Sequence, residues 1–120
     1  MSGRKSILKD RSFQFAIRTI RLCQQLNETK KEYTLSKQLL RSGTSIGALI
    51  REAQNAESTK DFIHKLSIAQ KECDETIYWL ELLSASEYIN EQEFNNMNNE
   101  ANELLKMLRS AILTSKQTNS

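Results

Sequence analysis

Asp61 and His64 stand three residues apart in the segment STKDFIHK, so a helix would place a carboxylate and an imidazole on one face. That is half of the pairing from which carboxylate-bridged metal centres in helical bundles are built. Such a centre needs a second histidine and about four carboxylates from separate helices, and His64 is the only histidine. The same scarcity removes Ser-His-Asp and Cys-His chemistry, because Cys23 and Cys73 would compete for a single base. Gly43 and Gly47 lie four residues apart without the Lys-Ser/Thr that follows a phosphate-binding loop, and their spacing suits close helix packing instead. No residue is therefore assigned to catalysis, to a cofactor or to a metal, and the chain is expected not to be an enzyme.

Two polar sets remain. Arg41, Ser42, Ser45 and Glu52 recur at helical steps along one edge of an otherwise apolar segment, and Lys65, Glu72 and Glu75 do so in the next segment. Polar groups on such an edge are partly buried and need partners, so a structural network joining helices or subunits is expected. The second set is basic. Arg4, Lys5 and Lys9 lead into Arg11, Arg18 and Arg21, which share one stripe and form the candidate nucleic-acid surface. Residues 1–37 carry nine Lys or Arg against three Asp or Glu, whereas residues 81–120 carry three against six. The chain is electrically polarised although its net charge is only +2. No aromatic interleaving accompanies the arginines, so contact would be directed at a nucleic-acid backbone.

What must position these groups is helical. The chain has 120 residues, no proline and three glycines, which suits one all-α domain spanning residues 1–120. Apolar periodicity predicts helices over about residues 10–26, 35–56, 59–85 and 91–114. Asp10 or Ser12 is expected to cap the first, with Phe13, Ala16, Ile17, Ile20 and Cys23 facing the core. Thr34 or Ser36 is expected to cap the second, after a basic exposed loop. Ser58 with Asp61, and Asn90 with Glu93, have the spacing of capping boxes for the third and fourth. The third helix has a core stripe through Phe62, Leu66, Ala69, Cys73, Ile77, Leu80 and Leu83. Its apolar arc is wider than one core contact needs, which makes Ile63, Ile68, Trp79 and Leu82 the expected oligomer interface. Cys23 and Cys73 fall on apolar stripes and read as buried reduced thiols. No stretch has the length of a membrane span and no signal-peptide pattern opens the chain, so a cytoplasmic location without membrane contact is expected.

The block QLLRSGTSIGALIREAQ, followed by DFIHKLSIAQKE, resembles the four-helix-bundle family of 23S rRNA intervening-sequence proteins, whose pattern runs roughly QLxRSxxSIxxNIxEG/A…F…L.IA…E. Leu49 stands where that pattern has Asn. The resemblance covers nearly the whole chain and implies a bacterial-type, antiparallel up-and-down four-helix bundle assembling into a cyclic homo-oligomer, a pentamer. It also implies likeness in fold to the accessory proteins of diversity-generating retroelements, which bind nucleic acid and a reverse transcriptase through basic surfaces. The expected function is thus a non-catalytic oligomeric adaptor, with no cofactor, whose partners are further copies of itself and nucleic acid held by the first helix. The alternative is a structural or protein-interaction module with no nucleic acid. A larger residue at Gly47 is expected to destabilise the close crossing.

Overall fold

The computed structural model describes residues 3–118, with side chains over 7–118. Four helices account for nearly all of it: α1 (Gly3–Lys30), α2 (Thr34–Gln54), α3 (Thr59–Ala85) and α4 (Glu91–Thr118). They run antiparallel in chain order, each packed on its sequence neighbours, with α4 returning against α1 in a body of 49 × 22 × 21 Å. Among the described residues there is no strand, and no helix is long and apolar enough to cross a membrane.

Three turns make the reversals. Lys31 takes a left-handed φ of 54° after α1, and the Glu32 N–H reaches back to the Leu26 carbonyl. The Glu32 carboxylate then turns forward and accepts the backbone N–H groups of Thr34, Leu35 and Ser36 at 3.1, 2.9 and 2.8 Å. This buried glutamate, rather than Thr34 or Ser36, satisfies the first turn of α2. Ser36 is itself inside the helix and buried, its hydroxyl 2.9 Å from both the Asn27 side-chain oxygen and the Glu32 carbonyl. At α3 the Ser58 hydroxyl accepts from the Asp61 N–H. Glu87, with a φ of 67°, closes that helix in a Schellman arrangement, its own N–H and that of Tyr88 bonding the carbonyls of Ser84 and Leu83. Asn90 and Glu93 cap α4 reciprocally, each side chain accepting the other's N–H.

α1 differs from its sequence reading in phase and in length. It begins at Gly3, so Asp10 and Ser12 lie within it and cap nothing. Its buried stripe is Leu8, Ser12, Phe15, Thr19, Leu22 and Leu26, with Cys23 beside it, while Phe13 and Ile20 of the expected core stripe are exposed. Two stripes compete on this helix. The more continuously apolar one points outward, because the inward one includes two hydroxyls that return their hydrogen bonds to the backbone: Ser12 to the Lys9 carbonyl and Thr19 to that of Phe15. Being short, Ser12 and Thr19 let α2 approach at Gly47 and Gly43. The rest of the core is apolar, with Leu39, Ile46 and Ile50 of α2 meeting Leu66, Leu80 and Leu83 of α3 and Leu104 and Leu108 of α4.

Cys23 and Cys73 are buried, unpaired thiols that donate to the carbonyls of Ser36 and Ala101. Burial first, then the nearby charges of Glu32 and Asp74, push them up from 9.0 to about 11 and about 12. The folded thiols thus resist ionisation that the unfolded chain undergoes from about pH 9. The stability this represents is complete below that pH and falls as pH rises through the folded values. Urea midpoints should therefore decline between about pH 9 and about pH 11, and a thiol reagent at about pH 8 should label neither cysteine until the chain is denatured. Rapid labelling of either in the folded protein would contradict the buried assignment.

Candidate functional site

The polar residues of the second and third helices meet along the α2–α3 seam. Arg41 sits 2.9 Å from Glu75 and 3.8 Å from Glu72, and Lys65 lies 3.1 Å from Glu52. Beneath them the Thr76 hydroxyl is 2.9 Å from that of Ser42, both fully buried. Ser45 does not reach Arg41; its hydroxyl returns to the Ser42 carbonyl at 2.9 Å. Six of the seven residues are thus joined across two helices, and Ser45 bonds within its own. The contact between Arg41 and Glu72 has ion-pair length but is too long for a hydrogen bond, which leaves Glu72 Oε1, like Trp79 Nε1, buried without a hydrogen-bond partner among the described residues. These pairs tie α2 to α3. Arg41 is exposed at the outer end, and Glu72 and Glu75 share it.

The α1–α4 seam explains the polarised charge. Arg11 forks onto Glu100, with Nε to Oε2 at 3.0 Å and Nη2 to Oε1 at 2.9 Å, and its other nitrogen faces the Met107 sulfur. The carboxylate raises the pKa of that guanidinium further. About four turns further along the same seam, Gln25 donates to Glu93 at 2.9 Å. The basic first helix and acidic last helix are therefore antiparallel neighbours, and part of each charge is spent on the other. Of the candidate nucleic-acid residues, Arg11 is engaged, Arg18 is half-buried, and Arg21 and Lys9 are exposed, with Lys9 on a different side of α1. The side chains of Arg4 and Lys5 lie outside the described residues. His64 is exposed and Asp61 is engaged at the start of α3, its carboxylate 3.4 Å from the Glu57 N–H.

All four residues of the expected interface on α3 are partly exposed. Ile63 and Trp79 pack on the chain's own core, and Ile68 and Leu82 are half-buried. Exposed apolar side chains also gather on a second surface: Phe13 (49%), Ile20 (41%) and Leu40 (38%) are uncovered on the outer face between α1 and α2. The Arg51 guanidinium lies 5.4 Å from the Phe13 ring centroid, tying the two helices at this face. Lys9 on α1 and Lys37 on α2 are exposed on the same side by helical spacing. Sequence reasoning missed this surface because it placed Phe13 and Ile20 in the core; the available signal was the second stripe through Phe15 and Leu22.

A family model described as 23S rRNA-intervening sequence protein matches residues 4–110. Comparison with curated proteins finds no match. Among solved structures, the chain is similar to a protein of unknown function from the S23 ribosomal protein family of Bacteroides thetaiotaomicron VPI-5482, a crystal structure at 1.70 Å resolution. The two share 50% sequence identity over 91% of this chain and 97% of that one, with a TM-score of 0.90.

Proposed function

The chain belongs to the 23S rRNA-intervening sequence protein family, and from that premise we propose that it is a non-catalytic assembly module, a cyclic homo-oligomer of five copies that works through the surfaces it presents. The observation that carries this reading is the uncovered α1–α2 face, where Phe13, Ile20 and Leu40 are rimmed by Lys9, Lys37 and Arg51. Large apolar side chains gathered at one face of a small bundle are a contact surface awaiting cover. A ring joins unlike faces, so its second face must be complementary and not identical. The outward side of α3 fits that role: Tyr78 is 53% exposed, Leu82 is half-buried, and Asp74 and Glu81 outweigh Lys71 in charge. Basic-apolar against acidic-apolar is the arrangement that steers docking and sets its direction.

Interfaces of this kind bury over about 1,000 Å² and persist in dilute solution. Light scattering at micromolar concentration should therefore show an oligomer. Ile20→Glu with Leu40→Glu should yield folded monomers, and so should Tyr78→Lys. Mixed together, the two monomeric variants should form a heterodimer and go no further, since one retains an intact α3 face and the other an intact α1–α2 face. A monomeric wild-type protein would sink the reading, and a mixture that stays monomeric would refute the head-to-tail contact. Nucleic-acid binding is the lesser reading, because the engagement of Arg11 with Glu100 leaves the arginine stripe to Arg18 and Arg21.

A further inference from the structure

Met107 stands where the α1–α4 seam passes from polar to apolar. On one side Arg11 Nη1 points at its sulfur from 3.7 Å, while Nε and Nη2 of the same guanidinium hold Glu100. On the other, Met107 joins Leu8, Leu66 and Ala111 in the wall of a cleft of about 250 Å³. A thioether is a weak acceptor, so the sulfur contact is the weakest of the three that Arg11 makes. Met107 is half-buried, whereas Met97 on the same helix is 5% exposed and belongs to the core. Two identical side chains thus sit in opposite settings.

From this geometry we propose that Met107 is an oxidation site, taking one oxygen atom from hydrogen peroxide, and that Arg11 receives the sulfoxide. The sulfur attacks one peroxide oxygen. An S–O bond forms as the O–O bond breaks, the sulfur gives up two electrons, and the departing hydroxide takes the remaining hydroxyl proton and leaves as water. One sulfur lone pair faces Arg11 and the other is left to react. The cleft beside it has room for an oxidant of two heavy atoms, a water molecule's share of the liquid being about 30 Å³. Oxidation ordinarily turns a flexible apolar side chain into a polar one and disrupts the packing it served. Here the product meets a guanidinium that is already in place. The unbranched side chain turns about three bonds, which brings the new oxygen to Nη1, and a bond from an ionised donor is roughly twice as strong as a neutral one. Glu100 keeps its two bonds to Nε and Nη2. The oxidised seam gains a hydrogen bond that offsets the polar group brought against Leu8 and Leu66, so the fold survives a change that methionine sulfoxide reductases reverse. This inference does not rest on the assembly reading, whose contacts lie on the α1–α2 face and on α3.

The experiment treats the folded full chain with hydrogen peroxide and follows Met97 and Met107 by peptide mass spectrometry. Met107 should take up oxygen at least about tenfold faster than Met97, because susceptibility follows exposure. At a dose that leaves Met97 intact, urea midpoints are compared before and after oxidation in wild type, Arg11→Lys and Met107→Leu. The lysine keeps a positive charge for Glu100 and removes the nitrogen that faces the sulfur. Oxidation should lower the wild-type midpoint slightly, that of Arg11→Lys clearly more, and that of Met107→Leu not at all. Should Arg11→Lys fail to fold, the Arg11 Nε–H resonance of the wild-type protein decides, and it should shift once Met107 is oxidised. Met97 reacting as fast as Met107 overturns the site. An equal loss in wild type and Arg11→Lys, or an Arg11 resonance that does not move, overturns the part given to Arg11 and with it the proposal.

Discussion

Replacing Gly43 by alanine should lower the stability of the bundle, even though alanine is the better helix former. A Cβ at this position would lie 2.7 Å from Thr19 Cγ2 and 2.9 Å from Thr19 Oγ1. Thr19 is fully buried, and its hydroxyl is committed to the Phe15 carbonyl at 2.9 Å. A branched side chain whose two branches both crowd the new methyl has no rotamer that clears it, so the helices must separate. Helix propensity favours the exchange by about 1 kcal/mol, whereas overpacking costs about 1–3 kcal/mol. The net loss should be up to about 2 kcal/mol by urea denaturation, and larger for Gly43→Leu. Thr19→Ala removes both crowding atoms, so Gly43→Ala combined with Thr19→Ala should be more stable than the sum of the single changes predicts. A Gly43→Ala variant at least as stable as wild type would discard the close-crossing argument. Gly47 should be more forgiving to alanine, because the added methyl would lie 3.3 Å from its nearest neighbour, Ser12 Oγ, and Gly47 is only half-buried.

The second large effect is expected at Glu32. The residue is 8% exposed and its carboxylate accepts three successive backbone N–H groups at the start of α2, so one side chain satisfies most of a helix terminus. Glu32→Ala removes a charged acceptor and leaves those donors in a half-buried turn, a loss of about 2–3 kcal/mol. Glu32→Gln keeps the size and one accepting oxygen but aims an amide N–H₂ at donors, so it should recover only part. Hydrogen exchange at Thr34, Leu35 and Ser36 should accelerate in both variants, more than at the α3 cap. A Glu32→Ala protein within about 0.5 kcal/mol of wild type would show that solvent satisfies this turn equally well.

Much of the architecture was legible along the chain because it rests on local physics. Helix type follows from three- and four-residue apolar steps without proline. The starts of α3 and α4 follow from Ser58 and Asp61, and from Asn90 and Glu93, because a capping box is a short-range hydrogen-bond pattern. The α2–α3 polar seam was legible for a related reason: Arg41, Glu52, Lys65, Glu72 and Glu75 lie on the edges that two successive antiparallel helices bring together. Glu32 was not, because nothing local distinguishes a carboxylate folded under its own turn from one in a solvated loop.

What the sequence by itself determined is the number of helices, most of their limits and the apolar face of α2, α3 and α4, where one stripe plainly dominates. Tertiary structure alone decided the rotation of α1. There two stripes compete, and the winner is the one whose small hydroxyls admit Gly43 and Gly47 on the facing helix. That choice sends Phe13 and Ile20 to the surface and Lys9 beside them, and it turns Arg11 onto Glu100, so the same rotation creates the exposed apolar face and reduces the basic one. Steric fit between two helices is a property of the pair, and periodicity within either one does not contain it.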